Sequence, residues 1–352
     1  MTYKDIIEPI DINAEAFASI IRSLEEKQSR NKIKTSQIRK KIYEDIPELG
    51  EIDQKVIDLS IDFYSNKNKY DKPLSELIAP YSAKKKELLA NSSFGENALD
   101  GYCDCKKCHD KGFIEHFDTD GNVISTEKCT CLLDAMANYR LLANSRGLSI
   151  PEASFESFDL NVFSDKTSGA DDLRGLVAGM DKSLSPRAYM KEVAADFKYY
   201  VQNFDVNNTS EEASFLLFGP VGTGKSFLLR CIEKALLKRY IDTIYVTAPT
   251  LFEMKRPNDS NALIDRPYND FSQVFTCKVL IIDDLGTEKP TDFTVSTFNE
   301  IIDDRISSGL PTIISTNFSF ENVNNIYGER VASRINEKFD FINIYGRDLR
   351  KL

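Results

Sequence analysis

The stretch Gly219-Pro-Val-Gly-Thr-Gly-Lys-Ser226 follows the apolar run Ser214-Phe-Leu-Leu-Phe218 and opens a helix-like segment at Phe227. Strand, glycine-rich loop and helix in that order leave few folds open. Glycines let the backbone turn tightly enough to aim several N–H groups at one anion, and the following helix adds partial positive charge at its start. The stretch is therefore a phosphate-binding loop. Gly219, Pro220, Val221, Gly222, Thr223, Gly224, Lys225, Ser226 and Phe227 are the expected nucleotide contacts. Lys225 is expected to reach the β- and γ-phosphates, and the Ser226 hydroxyl to coordinate Mg2+.

Downstream the chain alternates. Thr243-Ile-Tyr-Val-Thr247, Lys278-Val-Leu-Ile-Ile282, Thr312-Ile-Ile-Ser-Thr316 and Phe341-Ile-Asn-Ile-Tyr345 read as strands, and the helices between them include residues 292–308 and 329–338. Apolar strands separated by helices specify a parallel, doubly wound α/β sheet, whose ligands bind beyond the carboxyl ends of the strands. Asp283 and Asp284 close one such strand. Asp283 is expected to hold Mg2+ and Asp284 to polarise an attacking water. Asn317, ending the next strand, is placed to bond that water or the γ-phosphate.

Upstream, Phe17, Ile20, Ile21 and Leu24 recur at helical spacing over residues 13–30; Ile38, Ile42 and Ile46 do so before Pro47, and Ile52, Val56, Leu59 and Phe63 make a third stripe. Residues 84–90 add one more helix, and residues 134–146 another, with the stripe Met136, Tyr139 and Leu142. The first three stripes are expected to form a helical bundle, or some of their faces to dock another protein. Gly147 and Pro151 mark a boundary. Residues 164–185 read as loop and 186–204 as a helix leading to the first strand.

Five of the seven cysteines lie between Cys103 and Cys131. The β-prone runs Phe113-Ile-Glu-His-Phe117 and Val123-Ile-Ser-Thr126 flank an Asp-Gly turn, so a hairpin brings Cys108 and Cys129 together. The economical ligand set for one Zn2+ is Cys105, Cys108, Cys129 and Cys131, with Cys103, His109 and His116 as spares. Four thiolates leave no open coordination position, so the metal is expected to hold structure. Cys231 and Cys277, alone in apolar segments, are expected to be buried and inert.

Formal net charge is -10, from 45 basic and 55 acidic residues, which argues against a general polyanion-binding surface. The first residues lack a secretory pattern and no apolar run approaches a bilayer span, so the expected setting is cytoplasmic and reducing, with no membrane partner.

Asp-Asp-Leu-Gly-Thr-Glu288, Ser-Thr-Asn317 and Tyr-Gly-Glu-Arg-Val-Ala-Ser-Arg334, in that order, resemble the AAA+ ATPases of the bacterial DnaC and DnaI type, loaders of the replicative DNA helicase. The resemblance covers residues 154–352, and the cysteine hairpin ahead of them extends it. It implies an AAA+ P-loop sheet preceded by a helical region with a zinc-knuckle hairpin. The expected division is 1–100 helical and helicase-interacting, 101–133 zinc-binding, 134–153 linker helix and 154–352 ATPase. ATP, Mg2+ and Zn2+ are the implied cofactors. Implied partners are the hexameric replicative helicase, single-stranded DNA and further copies of the chain.

By the same resemblance Lys225 and Ser226 match Walker A, Asp283 and Asp284 Walker B, and Asn317 sensor 1. Arg334 matches the arginine finger, with Arg330 second. Arg350 matches the sensor 2 γ-phosphate contact, with Arg347 second. Asp284 stands where most AAA+ enzymes carry Glu, and no separate helical lid follows before Leu352. Lys255, Arg256 and Lys289 are candidate DNA contacts. The alternatives are an IstB-type transposition helper, which typically lacks a zinc knuckle, and a helicase-binding adaptor or inhibitor without turnover.

Overall fold

A computed structural model describes residues 10–66, 69–145, 153–177, 183–256 and 271–351. The chain divides into two compact units, Ala18–Leu132 and Met1–Phe17 with Leu133–Leu352. Among the described residues no helix is long and apolar enough to cross a membrane.

The smaller unit takes most of α1 (Ala14–Asp45), then α2 (Glu48–Ser65), α3 (Leu74–Ala90) and the antiparallel strands β1 (Phe113–Phe117) and β2 (Val123–Lys128). The first two apolar stripes form one helix, because no glycine or proline interrupts the chain before Pro47. Ile42, Leu49 and Leu89 are its shared core, whereas Ile38, expected on the same stripe, is exposed. Lys85 Nζ bonds Asp53 Oδ1 at 2.6 Å, tying α3 to α2.

α4 (Thr130–Asn144) opens with Cys131 in its first turn. Its buried face differs from the apolar stripe: Leu142 is exposed, while Arg140 and Asn144 are buried beside Met136. Polar anchoring explains the difference. Arg140 Nη2 donates to Asp242 Oδ1 at 2.9 Å and Asn144 Nδ2 to Glu233 Oε1 at 2.6 Å, so the segment expected as a linker is tied into the larger unit. Gly147 and Pro151 lie outside the described residues.

The larger unit continues with α5 (Pro186–Asn203), β3 (Ser214–Phe218), α6 (Lys225–Lys238), β4 (Thr243–Thr247), α7 (Ala248–Lys255), α8 (Gln273–Thr276) and β5 (Val279–Leu285). It ends with α9 (Asp292–Ser307), β6 (Thr312–Thr316), α10 (Phe320–Tyr327), α11 (Glu329–Lys338) and β7 (Phe339–Asn343). The five strands β3–β7 form one parallel sheet in the order β4-β5-β6-β3-β7. This is the doubly wound P-loop sheet expected of an AAA+ protein. The last strand begins at Phe339, ahead of the expected start at Phe341, and α8 and α10 are additions to the expected elements.

Consecutive residues of a strand point to opposite faces, and the core follows that rule. Leu216, Leu280, Ile282 and Ile314 pack with Phe298, Val331 and Ile335 on one side, against α9 and α11. Leu217, Ile281 and Ile313 pack with Phe197, Leu228 and Ile232 on the other, against α5 and α6. Truncating Leu216 or Leu217 to Ala should cost about 2–5 kcal/mol by emptying one of these faces.

Candidate functional site

β3 lies between β6 and β7, so the loop that leaves it emerges beside the carboxyl end of β6, with that of β5 one strand further on. Gly219, at φ 143°, passes so close to the backbone of β7's end that a Cβ there would stand 1.9 Å from the Ile344 carbonyl oxygen. Only glycine fits that approach. Gly222 is similar: its φ is 82°, and a Cβ would stand 1.8 Å from Asp348 Oδ1.

The loop and strand ends surround a cavity of about 610 Å³. Gly222, Gly224, Lys225 and Ser226 line it from the loop, Asp284 and Asn317 from β5 and β6, and Arg350 from the C-terminal segment. The remaining wall is largely apolar, made by Phe158, Val162, Phe163, Phe227 and Leu349. Charge-binding groups on one side and rings on the other suit a nucleotide, whose phosphates and base need these two surroundings.

Lys225 Nζ donates to Gly219 O at 2.7 Å, Pro220 O at 2.8 Å and Asn317 Oδ1 at 2.9 Å. Burial lowers its pKa to about 8, opposed by the charges of Asp284 and Asp283. Ser226 Oγ donates to Asp283 Oδ1 at 3.2 Å. The buried Asp283 carboxylate also accepts hydroxyl bonds from Tyr245 and Ser315. Ser226 and Ser315 share Oδ1 and Tyr245 donates to Oδ2, which leaves about one of four lone-pair positions open, on Oδ2; a carboxylate oxygen beside a hydroxyl is the kind of donor set that suits a hard divalent cation.

Asp284 occupies the left-handed region at φ 55°, where the β5–β6 register slips between Ile282 and Leu285. Its N–H donates to Ser315 Oγ at 2.9 Å, and Asn317 Nδ2 reaches its Oδ1 at 3.4 Å. Burial, and then the neighbouring Asp283 charge, raises the Asp284 pKa, against the pull of Lys225. A carboxylate so tuned is a better proton acceptor than an exposed one.

The arginines divide. Arg350 is at the cavity but forms two 3.0 Å bonds to Asp348 through its Nε and Nη2. Arg347 instead donates to Val162 O at 3.3 Å. Arg330 and Arg334 on α11 both pair with Asp303 of α9, at 2.7 and 2.9 Å, and neither is among the described residues that line the cavity. Lys255 is paired with Glu300, Arg256 lies 6.0 Å from the Phe293 ring centroid, and Lys289 is exposed.

The wall at residues 158–163, Tyr245, Ser315 and Asp348 escaped sequence reasoning. Two signals existed. Ser315 shares a strand face with Asn317 by period-two spacing, and a tyrosine within a buried strand requires a partner for its hydroxyl.

In the smaller unit, the side chains of Cys105, Cys108, Cys129 and Cys131 converge, with all four sulfurs within 4.8 Å of one another. Cys105 and Cys129 sulfurs are 3.6 Å apart, and those of Cys108 and Cys131 3.4 Å. Thiolates about 2.3 Å from a tetrahedral Zn2+ lie roughly 3.8 Å from each other, so the donor set fits that ion. The hairpin achieves this by pairing Phe113 with Lys128, while Cys129 N donates to Gly112 O at 2.8 Å. Cys103 and His109 face each other at 3.6 Å, and His116 sits beside Glu127 at 3.4 Å, outside the cluster. Cys231 and Cys277 are buried, and burial pushes the Cys231 thiol up to about 12.

Residues 176–343 match the family model described as IstB-like ATP binding protein. The replicative helicase loader DnaC of Escherichia coli strain K12 is 31% identical over 140 residues, covering 39% of this chain and 54% of the relative. The replicative helicase loader DnaI of Bacillus subtilis strain 168 is 31% identical over 116 residues, covering 32% of this chain and 36% of the relative. The chain thus spans about half the length of the DnaC relative. A crystal structure of DnaI aligns with a TM-score of 0.38 at 24% identity, covering 52% of this chain and 94% of that one. Over stretches of 116 to 140 residues, the chain is similar to the replicative helicase loaders of the DnaC and DnaI type.

Proposed function

We propose that this protein is a cytoplasmic ATPase that binds the hexameric replicative helicase and delivers it to single-stranded DNA. The observation that carries the ATPase reading is the convergence of Lys225, Ser226, Asp284 and Asn317 at one cavity, with the buried Asp283 bonded to Ser226 behind them. The helicase reading is supported by relatives named replicative helicase loaders.

In this reading the loop amides and Lys225 bind the phosphates of ATP, while Phe158, Phe163 and Phe227 take the base. Ser226 and Asp283 would hold Mg2+, which would supply charge neutralisation at the bound phosphates. Asn317 orients the attacking water and Asp284 accepts its proton. Arg350 leaves Asp348 for the γ-phosphate. Arg334 of a neighbouring copy completes the site, with Arg330 beside it, so nucleotide state is read as subunit arrangement. Residues 1–100 supply the helicase contact, residues 101–133 form a zinc-stapled module, residues 134–153 connect it and residues 154–352 form the ATPase. Cys105, Cys108, Cys129 and Cys131 hold structural Zn2+.

The test is co-purification of the full chain with the replicative helicase of the same cell, followed by ATP hydrolysis with helicase and single-stranded DNA present. Stable capture and stimulated turnover are expected. Capture of a transposase with no helicase binding would support the transposition helper instead. Helicase binding with no turnover under any condition would leave an adaptor.

A further inference from the structure

Asp283 is held differently at its two oxygens. Oδ1 accepts from Ser226 and Ser315, whereas among the described residues Oδ2 accepts from Tyr245 alone. The aim of Oδ2 therefore depends on where one β4 side chain sits.

Tyr245 is itself supported by a buried polar cluster. The Arg230 guanidinium lies over its ring, 3.4 Å from the centroid, an arrangement that fixes the ring's plane. Arg230 Nη1 donates to Glu233 Oε2 at 2.8 Å, and its Nη2 to the Asn144 carbonyl at 3.0 Å. Asn144 Nδ2 bridges Glu233 Oε1 at 2.6 Å and Thr243 O at 3.2 Å. All of these side chains are buried. Arg230 also stands one helical turn after Ser226 on α6, so the helix that provides the hydroxyl for Asp283 Oδ1 braces the tyrosine that serves Oδ2.

A buried Arg–Glu pair alone serves to satisfy its own charges. Here its guanidinium is stacked on the one donor to Asp283 Oδ2, and its remaining bond is to the last residue of α4. We propose that Tyr245 is a positioning residue for Asp283, and that Arg230, Glu233 and Asn144 connect it to the end of α4, making Mg2+ affinity at the loop sensitive to that helix. This rests on the proposed role of Asp283 in holding Mg2+. It assigns no chemistry to Tyr245, whose hydroxyl aims a ligand as outer partners of metal ligands do.

The experiment uses the full chain and a fluorescent ATP analogue, with Mg2+ titrated into the mixture and binding read by fluorescence. For Tyr245→Phe the Mg2+ concentration at half-effect should rise roughly tenfold or more, while Mg2+-free analogue binding stays within about twofold, since the phenyl ring keeps its place on Arg230. Asn144→Ala should shift the same titration in the same direction by less. The double variant should shift it by less than the product of the single effects, because both act through one cluster. A melting temperature lowered in either variant with the Mg2+ titration unmoved would overturn the proposal. Should Tyr245→Phe fail to fold, an unmoved Asn144→Ala titration overturns it. If the unsubstituted chain shows no Mg2+-dependent analogue binding, the proposed function falls too. Normal binding there with unmoved variants removes this inference alone.

Discussion

Lys225 Nζ and Asn317 Oδ1 meet at 2.9 Å across 92 positions of sequence. The lysine spends its three donors on two loop carbonyls and this asparagine, so phosphate binding exchanges these partners for oxyanions.

That arrangement makes ATP binding pH-dependent. In the folded chain Lys225 loses its proton near pH 8, against 10.5 for an ordinary lysine. Affinity for ATP should fall about tenfold between pH 7 and 9 as the neutral amine replaces the ammonium, measured by calorimetric titration. Stability moves the other way for this group: the unfolded chain binds more protons between these two pKa values, so its contribution rises across that window and is lost as pH falls through about 8. Lys225→Ala should abolish tight ATP binding while circular dichroism stays that of the folded sheet.

One zinc per chain is expected by atomic emission. Replacing Cys105 and Cys131 together by Ser should remove it and speed amide exchange across residues 105–131 by orders of magnitude, since so short a module has little core of its own. Protection in β3–β7 should persist. Zinc retained at one per chain in that variant would place the ligands elsewhere.

Arg334→Ala should reduce ATP turnover about 10³-fold with the helicase present, with ATP affinity within about twofold, as measured by steady-state hydrolysis and equilibrium binding. Its pairing with Asp303 is partly exposed, and loss of such a pair changes stability by about 0.5 kcal/mol or less. An equal loss of affinity and turnover would place Arg334 at its own chain's site instead of a neighbour's.

The loop, the strand ends and the cysteine hairpin were legible because each joins a local pattern to a geometric rule: glycines before a helix, carboxylates after an apolar strand, thiols at both ends of a hairpin. Other features were hidden for physical reasons. Arg140 and Asn144 carry α4's buried face through hydrogen bonds to Asp242 and Glu233, and apolar periodicity cannot register a face whose anchoring is polar. Phe158 and Phe163 belong to a wall without regular secondary structure apart from one short turn at Leu160–Val162, so no period marks them. Tyr245 and Ser315 looked like strand filling, because their partner Asp283 lies 38 and 32 positions away. Pairing between strands is a property of the assembled sheet.

The backbone bend at Asp284 bears on which acid can occupy that position. Left-handed φ favours short side chains such as Asp and Asn over longer ones, so an aspartate at position 284 suits the conformation of its own peptide. Asp284→Asn should therefore remove the negative charge and leave the turn undisturbed, isolating the chemistry. Asp284→Glu keeps the charge but strains the turn, and a slow enzyme made that way would report on the main chain as much as on the carboxylate.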